Sequence, residues 1–575
     1  MKKLFFVFLI LIVGIFFITA DSLSGLRLVN EDEEPTEIRT FSVLPTTDSG
    51  WTDFEQILQT GYDDARVVFV SSSTGNDSTG KVYGISDITF DSNGMFQPIG
   101  LVDAFQTITE ANINMRNGYP DIILLKRGDE WVGESWRTGS AGRAPAGRSS
   151  TERHIIASYG TGNRPQLHLN TDVGFDNDNK SYIIVSGLRF YADNWLNSSR
   201  AIDVRGDSQD ILFEDIKVDR HAGGIFQGGD LVNMVVRRCI FTEHEAHDGM
   251  FYAYKTTNML FEQNIFYKPY DDSYPDESRY GRIMYLNPGD GINLHGLDVI
   301  LRKNIYYSSE RIGIDARAGG IIEDNLICRS TIRFGANGGS GGSLVSGELL
   351  NNVFMQTTDK MNMGSGLDVI NAENTVIDGN IFTDPGNQNG EADAIEIMGD
   401  SSYDTYVARN IKVSNNVVYG WANPAGDGRG IWINSNLNNG GLNDIRNITI
   451  RDNEIQMNSG SIDVIFIASS VVPKAMLSGN KYFSSDSTSS WFTPGGNFTS
   501  WLLSTKETDS ETIEISYPDP SRTIESYHSS LGGIPSTEDF MDEVLLQSRQ
   551  NWRPGFTAAA FNNYIREGFG KEPLD

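Results

Sequence analysis

A recurring asparagine constrains this chain more than any other feature. Short strand-like runs each end in a polar pair, an Asn and, two residues further on, an apolar side chain. The series reads FEQNIF (Asn264), LRKNIY (Asn304), IEDNLI (Asn325), LLNNVF (Asn352), IDGNIF (Asn380), VSNNVV (Asn416), IRDNEI (Asn453) and LSGNKY (Asn480). Two variants precede it, FEDIKV (Ile216) and VRRCIF (Cys239). Successive repeat positions are separated by 23, 25, 40, 21, 27, 28, 36, 37 and 27 residues. Periods in the twenties indicate a solenoid, in which the longer coils carry inserted loops.

Two columns test that alignment. Three residues before the repeat position stand Phe213, Val236, Phe261, Leu301, Ile322, Leu349, Ile377, Val413, Ile450 and Leu477. Two residues after it stand Val218, Phe241, Phe266, Tyr306, Ile327, Phe354, Phe382, Val418, Ile455 and Tyr482. Every member of both columns is apolar or aromatic, as inward-facing stacks of parallel strands about 4.8 Å apart require. Two before the repeat position, Arg237, Glu262, Arg302 and Glu323 alternate in sign on the opposite side of the strand. They predict an exposed structural charge ladder. The Asn itself is predicted to sit at the turn, to tolerate left-handed backbone, and to hydrogen-bond its amide to the Asn above and below. The pattern accounts for the 575 residues as one solenoid of roughly ten coils, where length alone would suggest about four ordinary domains.

Cys239 and Cys328 are too few for a disulfide framework and lie four coils apart, so both are expected to be free, buried thiols. With 46 Lys and Arg against 76 Asp and Glu, the net charge of −30 excludes sequence-independent binding to nucleic acid. Lys2 and Lys3, the apolar run 4–18, then Thr19 and Ala20 predict a secretory signal peptide over 1–20, with an uncleaved anchor as the alternative. No later run is apolar for 18 residues. A secreted or cell-surface location follows, with no membrane contact after cleavage.

The chain resembles the right-handed parallel β-helix proteins of the pectate-lyase-like superfamily, of the exported bacterial type. The resemblance begins at VVFVSSSTGNDSTG (67–80), continues through DAFQTITEA (103–111), DIILLKRGDEW (121–131), IIASYGTGNRP (155–165) and SYIIVSGLRF (181–190), and runs to about residue 485. It implies an all-β, single-stranded solenoid with an N-terminal cap and a short α-helical C-terminal segment. The expected boundaries are an acidic linker and N-terminal extension over 21–66, a cap and first coils over 67–186, and the core over 187–485. A linker over 486–518 and a helical C-terminal cap over 519–575, covering the open strand edges, complete the division.

The resemblance also implies action on extracellular polysaccharide, with a polysaccharide lyase favoured over a glycoside hydrolase. Elimination at a uronate needs a base, a cation for the carboxylate and a proton for the leaving oxygen. Counting nine residues back from the repeat position aligns Asp230, Lys255, His295 and Ala316, with Arg317 one step on. Lys255 or His295 is the candidate base, Arg317 or Arg282 the carboxylate holder, and Tyr285 the proton source. His247, Asp248 and Asp230 are candidate substrate contacts, although the resembling proteins tend to carry His where this chain has Asp248 and Arg282. Asp271, Asp272 and Asp290 are weak candidates for calcium, since no spacing here specifies a metal. NTD (170–172), DD (271–272) and HG (295–296) occur in the order that hydrolases use, but 99 residues between Asp172 and Asp271 put them several coils apart. The alternatives are a non-catalytic glycan-binding or adhesion protein, using Trp131, Trp136, Trp195 and Tyr274, or a structural shaft of a surface appendage.

Overall fold

The computed structural model describes residues 44–574, apart from 138–141, 170–172, 194–199, 222, 243–248, 269–281, 288–298, 309–311, 336–343, 358–364, 386–392, 399–404, 422–427, 436–441, 458–462 and 486–490. At 226, 230, 254–257, 268, 308, 398, 405–406 and 442–443 the strand is described but not the side chain. The chain divides into two units, residues 1–38 with 574–575, and residues 39–573. Everything below concerns the second. The predicted signal peptide lies outside the described residues, and among those described no helix is long and apolar enough to cross a membrane.

Three strands recur in each coil, and each pairs in parallel with its counterpart one coil on. A first face runs through Arg282–Asn287, Ile312–Ala316, Ile332–Gly335, Leu367–Ile370, Ile395–Met398 and Arg429–Ile433. A second face carries the column three before the repeat position, and its ten residues are register partners in unbroken sequence. The third face is a fourteen-stranded sheet from Glu130–Val132 to Glu511–Thr512. Crossover connections between parallel strands are almost always right-handed. The fold is a right-handed parallel β-helix. Fourteen strands exceed the roughly ten coils expected, because Ser510 after the series, and Asp129, Pro165 and Leu188 before it, hold the turn position without an Asn. The carbonyls of the latter three accept the same inter-coil bond, from the N–H groups of Gln166, Arg189 and Lys217.

The asparagines form a continuous buried ladder. Each Nδ2 of Asn264, Asn304, Asn325, Asn352, Asn380, Asn416 and Asn453 donates to the Oδ1 of the next Asn at 2.9–3.0 Å. It starts where Asn264 Oδ1 accepts from Cys239 N–H, and ends where Asn480 Nδ2 donates to Glu507 Oε1 at 2.7 Å. The left-handed residue is not the Asn, as expected, but the one before it: Asp215, Arg238, Gln263, Lys303, Asp324, Asn351, Gly379, Asn415, Asp452 and Gly479 all have φ between 51° and 69°. That twist lets the following side chain turn inward, where its amide meets its neighbours. A second set of left-handed residues, among them Asn233, Asn258, Asn374, Asn410 and Asn447, makes the bend from the first face to the second.

The charge ladder is present in register, with Arg302 Nη2 2.7 Å from Glu262 Oε1, but its start is buried rather than exposed. Glu214, wholly inaccessible, accepts from Arg237 Nε at 2.9 Å beneath Thr52 and Arg549. Both cysteines are free and buried, and burial pushes both thiols well up.

The C-terminal assignments are corrected. Residues 486–518, expected to be a linker, include the strand Phe492–Thr493 and the helix Phe498–Thr505, whose Trp501 is fully buried in the interior core. They plug the end of the solenoid. The helices Ile524–Ser530, Thr537–Val544 and Ala558–Gly568 do not cover that end. They lie along the third face, where Phe540, Phe561 and Ile565 pack with Ile240, Ile265, Ile305, Leu326, Val353, Ile381 and Val417. Those seven residues are successive register partners immediately after the repeat position. Where the strap ends, that position turns polar, at Lys217 and Glu454.

Under the strap, Asp324 accepts from Asn562 Nδ2 at 3.0 Å, and burial pushes its carboxyl up to about 6. A carboxyl raised on folding binds its proton more tightly in the native state, so its contribution falls as pH rises between about 4 and 6. Asp324→Asn keeps an acceptor for Asn562 and suits the φ of 51°. It is expected to gain about 2 kcal/mol at pH 7, vanishing below pH 4, read from urea midpoints across that range.

Candidate functional site

The outward side of the first face carries a column unlike any aliphatic stack. Its register partners run Tyr252, Tyr285, Asp315, Arg333, Asp368, Glu396, Trp432 and Phe466. Each strand there reads apolar, polar or aromatic, apolar, as in Ile314-Asp315-Ala316 and Ile395-Glu396-Ile397, so both flanking side chains point into the core and the middle one points out. At about 4.8 Å per rung, seven steps span about 34 Å. That is a row suited to an extended chain.

Asp315 anchors one stretch of it. The carboxylate is fully buried, with Arg282 Nε at 3.1 Å and Arg317 Nε at 3.2 Å from its Oδ2. Both guanidinium carbons also lie over the Tyr285 ring, at 4.4 Å and 4.9 Å from its centroid. The rings of Tyr285 and Tyr252 are 5.2 Å apart. Two guanidiniums thus converge on one carboxylate within a strongly acidic chain.

Two rungs beyond, Asp368 and Glu396 face each other across adjacent coils, 8% and 6% exposed. Ser365 Oγ donates to Glu396 Oε2 at 2.8 Å. Burial pushes both carboxyls up, Glu396 well up with the charges of Asp368 and Asp393 adding to it; Arg333, one rung before, and hydrogen bonds with Ser365 and Glu396 draw Asp368 back down. Trp432, one rung after, is stacked by Arg429 at 4.3 Å, and Arg429 in turn lies 3.3 Å from Asp393.

Of the residues singled out in the sequence, Arg282, Tyr285 and Arg317 come together. Lys255 lies on the strand Phe251–Glu262, near the bend where the register with the previous coil shifts, and Asp230 lies on the strand Gly223–Arg237. The side chains of both fall outside the described residues, as do His247, Asp248, Asp271, Asp272, Asp290 and His295 altogether. The count of nine residues back fails at His295, for Ala316 has Leu286 as its partner in the preceding coil. The 40-residue interval carries extra residues on both sides of the strand Arg282–Asn287, and those between it and Val299–Arg302 make the count back from Asn304 stop inside an insertion. Trp131 and Trp136, proposed as glycan-binding aromatics, are buried in the interior core, 3% and 0% exposed. Trp195 and Tyr274 lie outside the described residues. Among the described residues no group of three or more His, Cys, Asp or Glu could hold a metal ion.

Asp315, Arg333, Asp368 and Glu396 were not singled out. Each is an ionisable residue between two apolar ones on a short strand, a signal that was available coil by coil.

No protein-family model matches the chain, and no curated protein matches it. Among solved structures, a mannuronic acid specific polysaccharide family 6 lyase from human gut microbiota is similar at 12% identity, over 79% of this chain and 94% of that one, with a TM-score of 0.48. A surface adhesin of Streptococcus pneumoniae is similar at 11% identity, over 71% and 86%, with a TM-score of 0.39. The A-module of an Azotobacter vinelandii mannuronan C-5 epimerase is similar at 11% identity, over 71% and 94%, with a TM-score of 0.37. The fold of this chain rests on its own strand registers, and its chemistry on its own side chains.

Proposed function

We propose that the protein is exported, binds an acidic polysaccharide along its first face and cleaves it by elimination at a uronate. The observation that carries this is the gathering of Arg282, Arg317 and Tyr285 on Asp315, which brings two guanidiniums to one place in a chain of net charge −30. A polyanion needs such a spot to approach an acidic protein. In the reaction a base, assigned to Lys255 or His295, takes the proton alpha to the carboxylate. The bond to the neighbouring glycosidic oxygen breaks, a double bond forms, and the leaving oxygen takes a proton. The arginines serve the carboxylate on which negative charge develops.

On a panel of uronate polymers, ultraviolet absorbance from unsaturated ends is expected to rise. Arg317→Ala should lower kcat/KM about 100-fold, the usual effect of removing one charge-stabilising donor. No unsaturated product from any polymer would sink the reading. A second reading, glycan binding without cleavage, is favoured by the aromatic rungs Tyr252, Trp432 and Phe466, since such rings stack on sugar faces. Retention on an immobilised polymer with no product released would select it.

A further inference from the structure

We propose that the two aromatic pairs of the first face, Tyr252 with Tyr285 and Trp432 with Phe466, are the two ends of one binding track for a single extended glycan chain, so that the site selects long polymer over short oligomer. The inference rests on the polysaccharide-binding reading of that face. Both pairs belong to the same outward column of register partners, separated by the four ionisable rungs from Asp315 to Glu396. Burial along this column is inverted. The four rings are partly exposed, whereas the three carboxylates between them are buried. Water alone would select the opposite, with charge outermost and rings covered. Rings kept at the surface in a straight row suit a ligand that stacks on them, as the apolar faces of sugars do.

The same device steadies both ends. Arg282 and Arg317 lie over Tyr285 and are tied to buried Asp315. Arg429 lies over Trp432 at 4.3 Å and over Phe466 at 5.8 Å, and its Nη1 is 3.3 Å from Asp393, whose side chain is 1% exposed. A guanidinium anchored on a buried carboxylate holds each ring in place before a ligand arrives, which lowers the ordering cost of binding. From Tyr285 to Trp432 is five rungs, about 24 Å. One sugar of an extended chain covers close to one rung, so a chain of roughly six sugars spans the gap. A shorter oligomer seated at Arg282, Arg317 and Tyr285 does not reach Trp432. The far pair therefore contributes binding energy to polymer alone, remote from the bond that breaks.

The test uses the full chain with a uronate polymer and size-graded oligomers cut from it. In wild type, kcat/KM should rise about tenfold between oligomers of about three and about eight sugars and then level off. Trp432→Ala should raise KM for the longer oligomer and the polymer about 3- to 10-fold with kcat unchanged, the worth of one ring stack, and should shift the shorter oligomer less than about twofold. Trp432→Phe, which keeps a ring, should recover most of that loss. Wild-type tryptophan fluorescence should shift on adding the longer oligomer, and the shift should be missing in Trp432→Ala, a readout that needs no turnover. No dependence on length in wild type, or an equal loss at both lengths in Trp432→Ala, overturns the track and leaves elimination intact. Length-dependent binding without ultraviolet-absorbing product sinks elimination and keeps the track. No binding of any uronate polymer by wild type overturns both.

Discussion

Asn352→Leu is expected to lower stability by about 3–6 kcal/mol, since each buried donor left without an acceptor costs about 1–3 kcal/mol. Asn352 Oδ1 accepts from both the backbone N–H and the Nδ2 of Asn325 at 3.0 Å, and its Nδ2 donates to Ile322 O at 2.7 Å and to Asn380 Oδ1 at 3.0 Å. Leucine matches the volume but removes every one of these bonds, and nothing in the wholly buried turn replaces them. The built-in control is the exposed chain in which Asn410 Nδ2 donates to Asn374 Oδ1 at 2.8 Å and Asn447 Nδ2 to Asn410 Oδ1 at 2.9 Å. Asn410→Gly keeps the left-handed backbone and gives its bonds back to water, so its cost should stay under about 1 kcal/mol. Urea midpoints followed by circular dichroism separate the two. Equal losses would mean that turn conformation, and not the buried amide ladder, is what the asparagines supply.

The same contrast explains what was legible. Inward columns repeat with the coil and admit only apolar side chains, so Phe213 to Leu477 and Val218 to Tyr482 could be aligned from the chain alone, and every member is buried to 6% exposure or less. The first face could not be aligned in that way. Its strands stand at varying distances from the repeat position, because insertions of unequal length fall on both sides of it. Counting back therefore reached His295 where the neighbour of Ala316 is Leu286. Arg282 and Tyr285 were reached by chemistry rather than by register and Arg317 by one step beyond the count, while Asp315, to which the arginines bind, was passed over in the same GIDARAGG segment. The strap, expected instead as a cap over the strand edges, left a signal of its own in the sequence. The residues from Ile240 to Val417 just after the repeat position are apolar only in the coils it covers, a boundary that marks a second packing layer on the outside of a sheet.

Glu214→Ala should cost about 3–5 kcal/mol, because removing one partner of a buried ion pair strands the other charge. Its carboxylate gathers three segments distant in sequence: Thr52, through its backbone N–H and hydroxyl at 3.0 Å; Arg237 at 2.9 Å; and Arg549, 3.5 Å away. Arg549 also donates to Asn93 O and Thr52 O at 2.9 Å, and its backbone N–H donates to Asp215 Oδ1. The residue thus ties the N-terminal segment and the C-terminal strap to one coil near the start of the helix. At the other end Lys571 Nζ lies 2.9 Å from Glu454 Oε2, on the last coil that the strap crosses. A solenoid's stability is a sum of neighbour contacts along one dimension, so loss of a bond within a coil should weaken only that neighbourhood. Loss at Glu214 has a different reach, for it frees a strap that covers seven coils. Limited proteolysis should then cut Glu214→Ala first within residues 515–573, while Asn352→Leu, equally destabilised, should be cut near its own coil. If both variants open at the same sites, the strap is held by its apolar contacts with the third face and the buried carboxylate serves only its own rung.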